Sequence, residues 1–227
     1  GVKAVVLENR YEPAVVQTQE EAAEPLMATS GAMIGTSAAW ASGYTGAGRR
    51  IAVIDTGIDT DHQSFSGEGF NYSLSLLAEQ AGMTVEEYTA ELELLDVEEI
   101  SKVWDELNIS TLSYTPDEMY VSTKLPFAFN YVDEDLDVTH DNDSQTEHGS
   151  HVAGIAAANA YIANGDGTFS HALETVQVQG VAPDAQIITM KVFGKSGGAY
   201  DSDYMVAIED AIVPVSYTHL RAHETEL

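Results

Sequence analysis

Two short apolar runs that stop abruptly on charged residues constrain the fold most: RIAVIDTGID at 50–59 and DAQIITMKVF at 184–193. An unbroken run such as Ile51–Ile54, ending on Asp55, fits a strand covered on both faces, as in a parallel sheet. FAFNYVD (127–133) reads as another strand. A helix is expected from about His148 to Ala163, opening on the small-residue stretch EHGSHVAGIAAA, and a second over Tyr204–Val213, ended by Pro214. Alternating strands and helices imply an α/β fold with a mainly parallel sheet and helices on both faces.

The other segments are less regular. GVKAVVLENRY alternates enough to form a strand, stopped by Glu12-Pro13, and 14–30 reads as an acidic linker. AMIGTSAAWASGYTGAGRR reads as a surface loop punctuated by Gly43, Gly46 and Gly48. Residues 74–112 form an acidic helical insertion. Thr84 with Glu87 and Asp96 with Glu99 have capping-box spacing, and Val97, Ile100, Val103, Trp104 and Leu107 share one helical face. That stripe is the signature of packing.

Charge excludes some partners. Nine basic against 37 acidic residues give a formal charge of −28, which repels nucleic acid and anionic membrane surfaces. No apolar run approaches the roughly 18 residues of a membrane span. Cysteine is absent, so disulfides, a thiol nucleophile and thiolate metal sites are unavailable.

The candidate chemistry lies at Asp55 and His148. Asp55 ends a strand, where sites in open α/β sheets gather, and Thr56-Gly57 lets the chain turn sharply. His148 opens a helix, where the dipole disfavours an imidazolium. A base there gains from a carboxylate that fixes its tautomer and steadies its charge. Asp55 could be that group; a catalytically silent polar pair is the alternative. His151 lies one turn on. A metal reading would recruit both histidines with Asp141, Asp143 and Glu147, but the stretch lacks the glutamate of the H-E-x-x-H zinc pattern. Calcium could sit in the acidic loop as a structural ion. Asp133, Asp135 and Asp137 match the first EF-hand positions, but Val138 and Ser144 stand where that motif needs Gly and Glu.

Taken together, IAVIDTGID and HGSHVAGIAAAN resemble the subtilisin-like serine proteases, with GVAPDAQIITMKVF matching the segment after that family's histidine helix. The resemblance covers about 31–213, with Ser150 for Thr as the one departure within the motifs. It implies that Asp55 and His148 belong to an Asp-His-Ser triad and that His151 is the second, structural histidine, buried in packing. It implies no cofactor for catalysis, protein or peptide substrates, and a secreted or bacterial cell-surface location. Ser196, Gly197 and Gly198 match the Gly-rich segment that pairs with substrate backbone.

The 93-residue separation of Asp55 and His148 and the insertion look like the cell-envelope branch, with the lactocepins and C5a-peptidase-like enzymes. Residues 1–13 then resemble the last strand of an inhibitory propeptide, with the maturation junction in 14–30 and the N-terminal part of the catalytic domain in 31–213. No nucleophile motif follows in the family's order. GTSAAW at 35–40 imitates one, but Ser37 precedes the Asp and no Met follows. Residues 214–227, PVSYTHLRAHETEL, break the family's strand pattern and read as a foreign or frame-shifted tail. On this reading the chain itself is inactive. The alternative is a non-catalytic acidic domain binding calcium or another metal through 133–147 and the two histidines, with no close pairing of Asp55 and His148.

Overall fold

A computed structural model describes residues 7–12, 31, 33–141, 143 and 147–224. In chain order, β1 (Arg10–Tyr11), α1 (Thr36–Ala41) and β2 (Arg50–Asp55) come first. The helices α2 (Gly67–Ala81), α3 (Val85–Glu91), α4 (Val97–Val103) and α5 (Pro116–Met119) precede β3 (Phe127–Asn130). Then come α6 (His148–Ala157), the hairpin β4 (Tyr161–Ala163) and β5 (Phe169–His171), α7 (Ala172–Thr175), β6 (Gln186–Lys191), β7 (Ala199–Tyr200) and α8 (Asp201–Glu224).

The centre is a three-stranded parallel sheet, ordered β2-β6-β3, in which Asp55 pairs with Lys191 and Asn130 also pairs with Lys191. Side chains alternate across it. Ala52, Ile54, Ile188, Met190, Phe127 and Phe129 join Ile100 of α4 and Ala207 and Ala211 of α8 in one cluster. Ile51, Val53 and Ile187 pack on the other side with Ala153 and Ala157 of α6. The parallel sheet with helices on both faces is therefore as expected. Antiparallel pairs β1-β7 and β4-β5 are added at the periphery. No helix among the described residues is long and apolar enough to cross a membrane.

Between β2 and β3 the helices begin and end on their own capping chemistry. Ser66 accepts from the amides of Glu68 and Gly69, and Gly82 closes α2 in the left-handed region. Thr84 and Glu87 complete the expected reciprocal box, whereas Asp96 accepts from Glu99 N without reciprocation. Buried polar groups tie this segment down. Gln186 accepts from Leu95 N (2.7 Å) and donates to Leu95 O and Thr123 O. Asp210, fully buried on α8, accepts from Asn108 N (2.7 Å), Asn108 Nδ2 (3.0 Å) and Tyr131 Oη (3.2 Å).

Three local expectations are corrected. The stretch expected to be a surface loop contains α1, whose Trp40 donates its indole N–H to Val181 O at 2.9 Å. The helix from His148 stops at Ala157, because Ala158 turns to an extended conformation, after which the chain enters β4. Pro214 does not end α8, which runs to Glu224 with the proline inside it. Proline forfeits one backbone bond, and the helix is secured on either side of that gap by Asp210 and by Arg50 Nη1 donating to Pro214 O at 2.9 Å. Within 1–13 the described strand is Arg10–Tyr11; residues 14–30 lie outside the described residues.

Asp210→Ala strips acceptors from buried backbone N–H groups, so it should lower stability by about 3 kcal/mol, read from urea unfolding. Lys124 gives a pH signature. Its fully buried ammonium donates to Pro183 O (2.8 Å) and Ala185 O (2.7 Å), and burial pushes its pKa down to about 7 despite the charge of Asp184. The unfolded chain then binds more protons between about pH 7 and the ordinary lysine value near 10.5, so this group's contribution to stability rises with pH across that window. Lys124→Met should flatten the rise; melting curves of the two proteins at pH 7 and pH 10 measure it.

Candidate active site

Asp55 and His148 meet because two backbones approach almost to contact. Gly57 has φ +103, a conformation that favours glycine, and a Cβ there would lie 2.1 Å from Val138 O. A Cβ on Gly149 would lie 2.1 Å from Gly57 O. With both positions bare, the start of α6 rests on the turn after β2.

His148 Nδ1 lies 2.8 Å from Asp55 Oδ1 and 3.0 Å from Oδ2. An ionised carboxylate only accepts, so Nδ1 is the donor, and in the neutral imidazole Nε2 keeps its lone pair. The Asp55 side chain is 15% exposed and that of His148 35%, so the carboxylate is sheltered while the imidazole reaches solvent. Thr56 N donates to Asp55 Oδ1 (2.6 Å), and Gly149 N donates to Thr56 Oγ1 (2.9 Å). Thr56 thus holds both partners, a role the sequence reading did not assign. Ser150, the departure from the motif, accepts from Asp59 N at 2.9 Å. A hydrogen bond that the protonated carboxyl of Asp59 donates to the neighbouring carboxylate of Asp61, followed by burial, raises the pKa of Asp59. Across the sheet, burial and then the charge of Asp55 push the Tyr204 phenol up.

His151 is not buried. Its side chain is 67% exposed, and Nε2 lies 3.7 Å from Glu147 Oε2. The helix buries Gly149, Ala153 and Ala157, and His151 stands about 200° of helical rotation from Gly149, facing away from the sheet. A helix lined with small residues does not bury all its side chains. Among the described residues no group of three or more His, Asp or Glu is placed to hold a metal. The acidic loop is organised internally: buried Asn130 donates to Asp133 Oδ2 (3.1 Å), Asp135 Oδ1 (3.2 Å) and Asp137 O (3.1 Å). Asp143 pairs with Lys191.

Ser196, Gly197 and Gly198 form a tight turn before β7, with Gly197 N donating to Gly194 O (2.8 Å) and Gly197 at φ +77. The next residues pair with the N-terminal segment: Arg10 with Tyr200 and Tyr11 with Ala199, antiparallel. The Arg10 guanidinium lies against Gly198, where a Cβ would meet Nε at 2.5 Å. Tyr11 Oη donates to Asp201 Oδ1 (2.8 Å), and Ser202 N donates to Glu8 Oε1 (3.0 Å) at the start of α8. Ser37 is exposed on α1.

The family model described as the subtilase family matches residues 46–223. The PII-type proteinase of Lacticaseibacillus paracasei is 30% identical over 197 residues, covering 86% of this chain and 8% of the relative. The PI-type proteinase of Lactococcus lactis subsp. cremoris is 30% identical over 215 residues, or 93% of this chain and 9% of the relative. The minor extracellular protease Vpr of Bacillus subtilis (strain 168) is 25% identical over 202 residues, or 87% and 16%. The chain thus spans a small part of the length of these relatives. With the parallel sheet, the Asp55–His148 contact and the match across most of its length, the chain belongs to the subtilase family.

Proposed function

We propose that this chain is the N-terminal part of the catalytic domain of a secreted or cell-surface serine endopeptidase, in which Asp55 and His148 are two members of the triad. The bond from His148 Nδ1 to Asp55 carries the reading. It fixes the tautomer that leaves Nε2 free to take a proton from a serine hydroxyl as that oxygen attacks a peptide carbonyl. The imidazolium that forms is steadied by the Asp55 carboxylate, and its proton then goes to the leaving amine. Among the described residues no nucleophile is identified: Ser37 stands exposed on a helix ahead of β2. The metal-binding alternative required Asp55 and His148 to stand apart, and no observation favours it.

Substrate is read as an extended strand that adds to the chain around Ser196, Gly197 and Gly198. The pairing of β1 with β7, just beyond that turn, supports this reading, since it is an extended segment held antiparallel at that edge. Residues 1–13 are read as the last strand of an inhibitory propeptide and 14–30 as holding the maturation junction. The lactic-acid-bacterial relatives favour the cell-envelope branch, with 74–112 as its insertion, and the extracellular Bacillus relative favours export.

The 227-residue chain should neither hydrolyse peptides nor be labelled by a serine-directed phosphonate. Joined to the natural downstream sequence it should do both, and His148→Ala should then cut kcat/KM by roughly 10⁴-fold or more. Labelling of the 227-residue chain that vanishes in Ser37→Ala would overturn the reading.

A further inference from the structure

We propose that Lys191 and Asp143 form a buried clamp that positions Asp55 for His148; this rests on the acid–base reading above. Strand alternation puts Ile51, Val53 and Asp55 of β2 and Ile187, Thr189 and Lys191 of β6 on the face covered by α6. Lys191, beside Asp55 in the parallel register, is fully buried. Its ammonium donates to Thr56 O at 2.6 Å and pairs with Asp143, both side chains being 1% exposed.

Thr56 is the residue through which the clamp acts. Its amide donates to the Asp55 carboxylate, its hydroxyl accepts from the residue after His148, and its carbonyl accepts from Lys191. The ammonium therefore fixes a residue that touches both Asp55 and the start of α6. The methylenes of Lys191 also back the turn: a Cβ on Gly57 would meet Lys191 Cδ at 3.3 Å. Asp143 lies in the loop between β3 and α6, so the pair ties the approach to His148 to the turn that carries Asp55.

Stability alone is a weak reason to hold such a pair. Burying an ammonium and a carboxylate costs several kcal/mol per ion, and apolar replacements of similar volume are often neutral or stabilising. Geometry is the better reason: an apolar side chain at 191 would fill the space but remove the ammonium's bond to the carbonyl of Thr56. Among the described residues, the charged and titratable groups bordering the turn and the helix start include Asp55, Asp59, His140, Glu147 and the Lys191–Asp143 pair.

The test uses the 15N-labelled chain and the imidazole region of 1H–15N spectra. The unmodified chain should show a low-field, slowly exchanging Nδ1–H proton that disappears in Asp55→Asn. Failure to see it would remove the Asp55–His148 reading itself, and the clamp with it, before any clamp variant is made. Lys191→Met strands a buried Asp143 carboxylate and can unfold the chain, so the deciding variant is Lys191→Met/Asp143→Leu. This double variant should melt cooperatively yet lose the low-field proton and show mixed imidazole tautomers. An unchanged low-field proton in the folded double variant would overturn the proposal. So would failure of the double variant to fold, because the pair would then be carrying the fold rather than the aim of Asp55.

Discussion

The approach of Gly149 to Gly57 is the contact on which the rest of the site depends. A methyl group at either position would collide with a carbonyl oxygen at 2.1 Å, and no side-chain rearrangement could relieve a clash with backbone. Once the two chains touch there, the strand-end carboxylate and the helix-start imidazole fall within hydrogen-bond distance without either element bending. Thr56 then seals the contact with its amide and hydroxyl. The chemistry of the pair is thus a product of packing, and the small residues of α6 serve it by what they omit.

Polar groups in the interior do comparable work on a larger scale. Gln186 opens β6 and holds Leu95 by both its amide and its carbonyl, while Asp210 on α8 collects amides from the turn at Asn108. Each replaces a backbone partner that irregular structure cannot supply. The helical segment between β2 and β3 is consequently bonded to the sheet and to α8, and does not simply lie against them.

Much of this was legible in the residues, for reasons that also explain where legibility ended. The continuous apolar run of β6 is a strand fully buried between two layers, as expected, whereas β2, at the edge of the three described strands, is half-buried everywhere except Val53. The Asp55–His148 meeting was legible because one residue ends a strand, the other opens a helix, and both stand in motifs of the same family. His151 was misplaced because a small-residue stretch reveals how closely a helix can approach, but not which of its faces turns inward. α1 was hidden by glycines that flank it without entering it, and the end of α6 by alanines that suit a helix or a strand equally well. Lys191 gave little sign: a lysine closing an apolar strand reads as the point where the strand meets solvent, and only the fold places Thr56 O and Asp143 around its ammonium.

The antiparallel pairing of Arg10–Tyr11 with Ala199–Tyr200 has a kinetic consequence. The two strands belong to one covalent chain, so the first meets the second at an effective concentration set by the intervening chain rather than by solution. Any free peptide seeking the same edge must compete with that local concentration, however well its side chains fit. Cutting the chain between β1 and β2 would turn a unimolecular closure into a bimolecular one. From then on, occupancy of the edge would fall with dilution, and a single backbone scission would become a concentration-dependent switch.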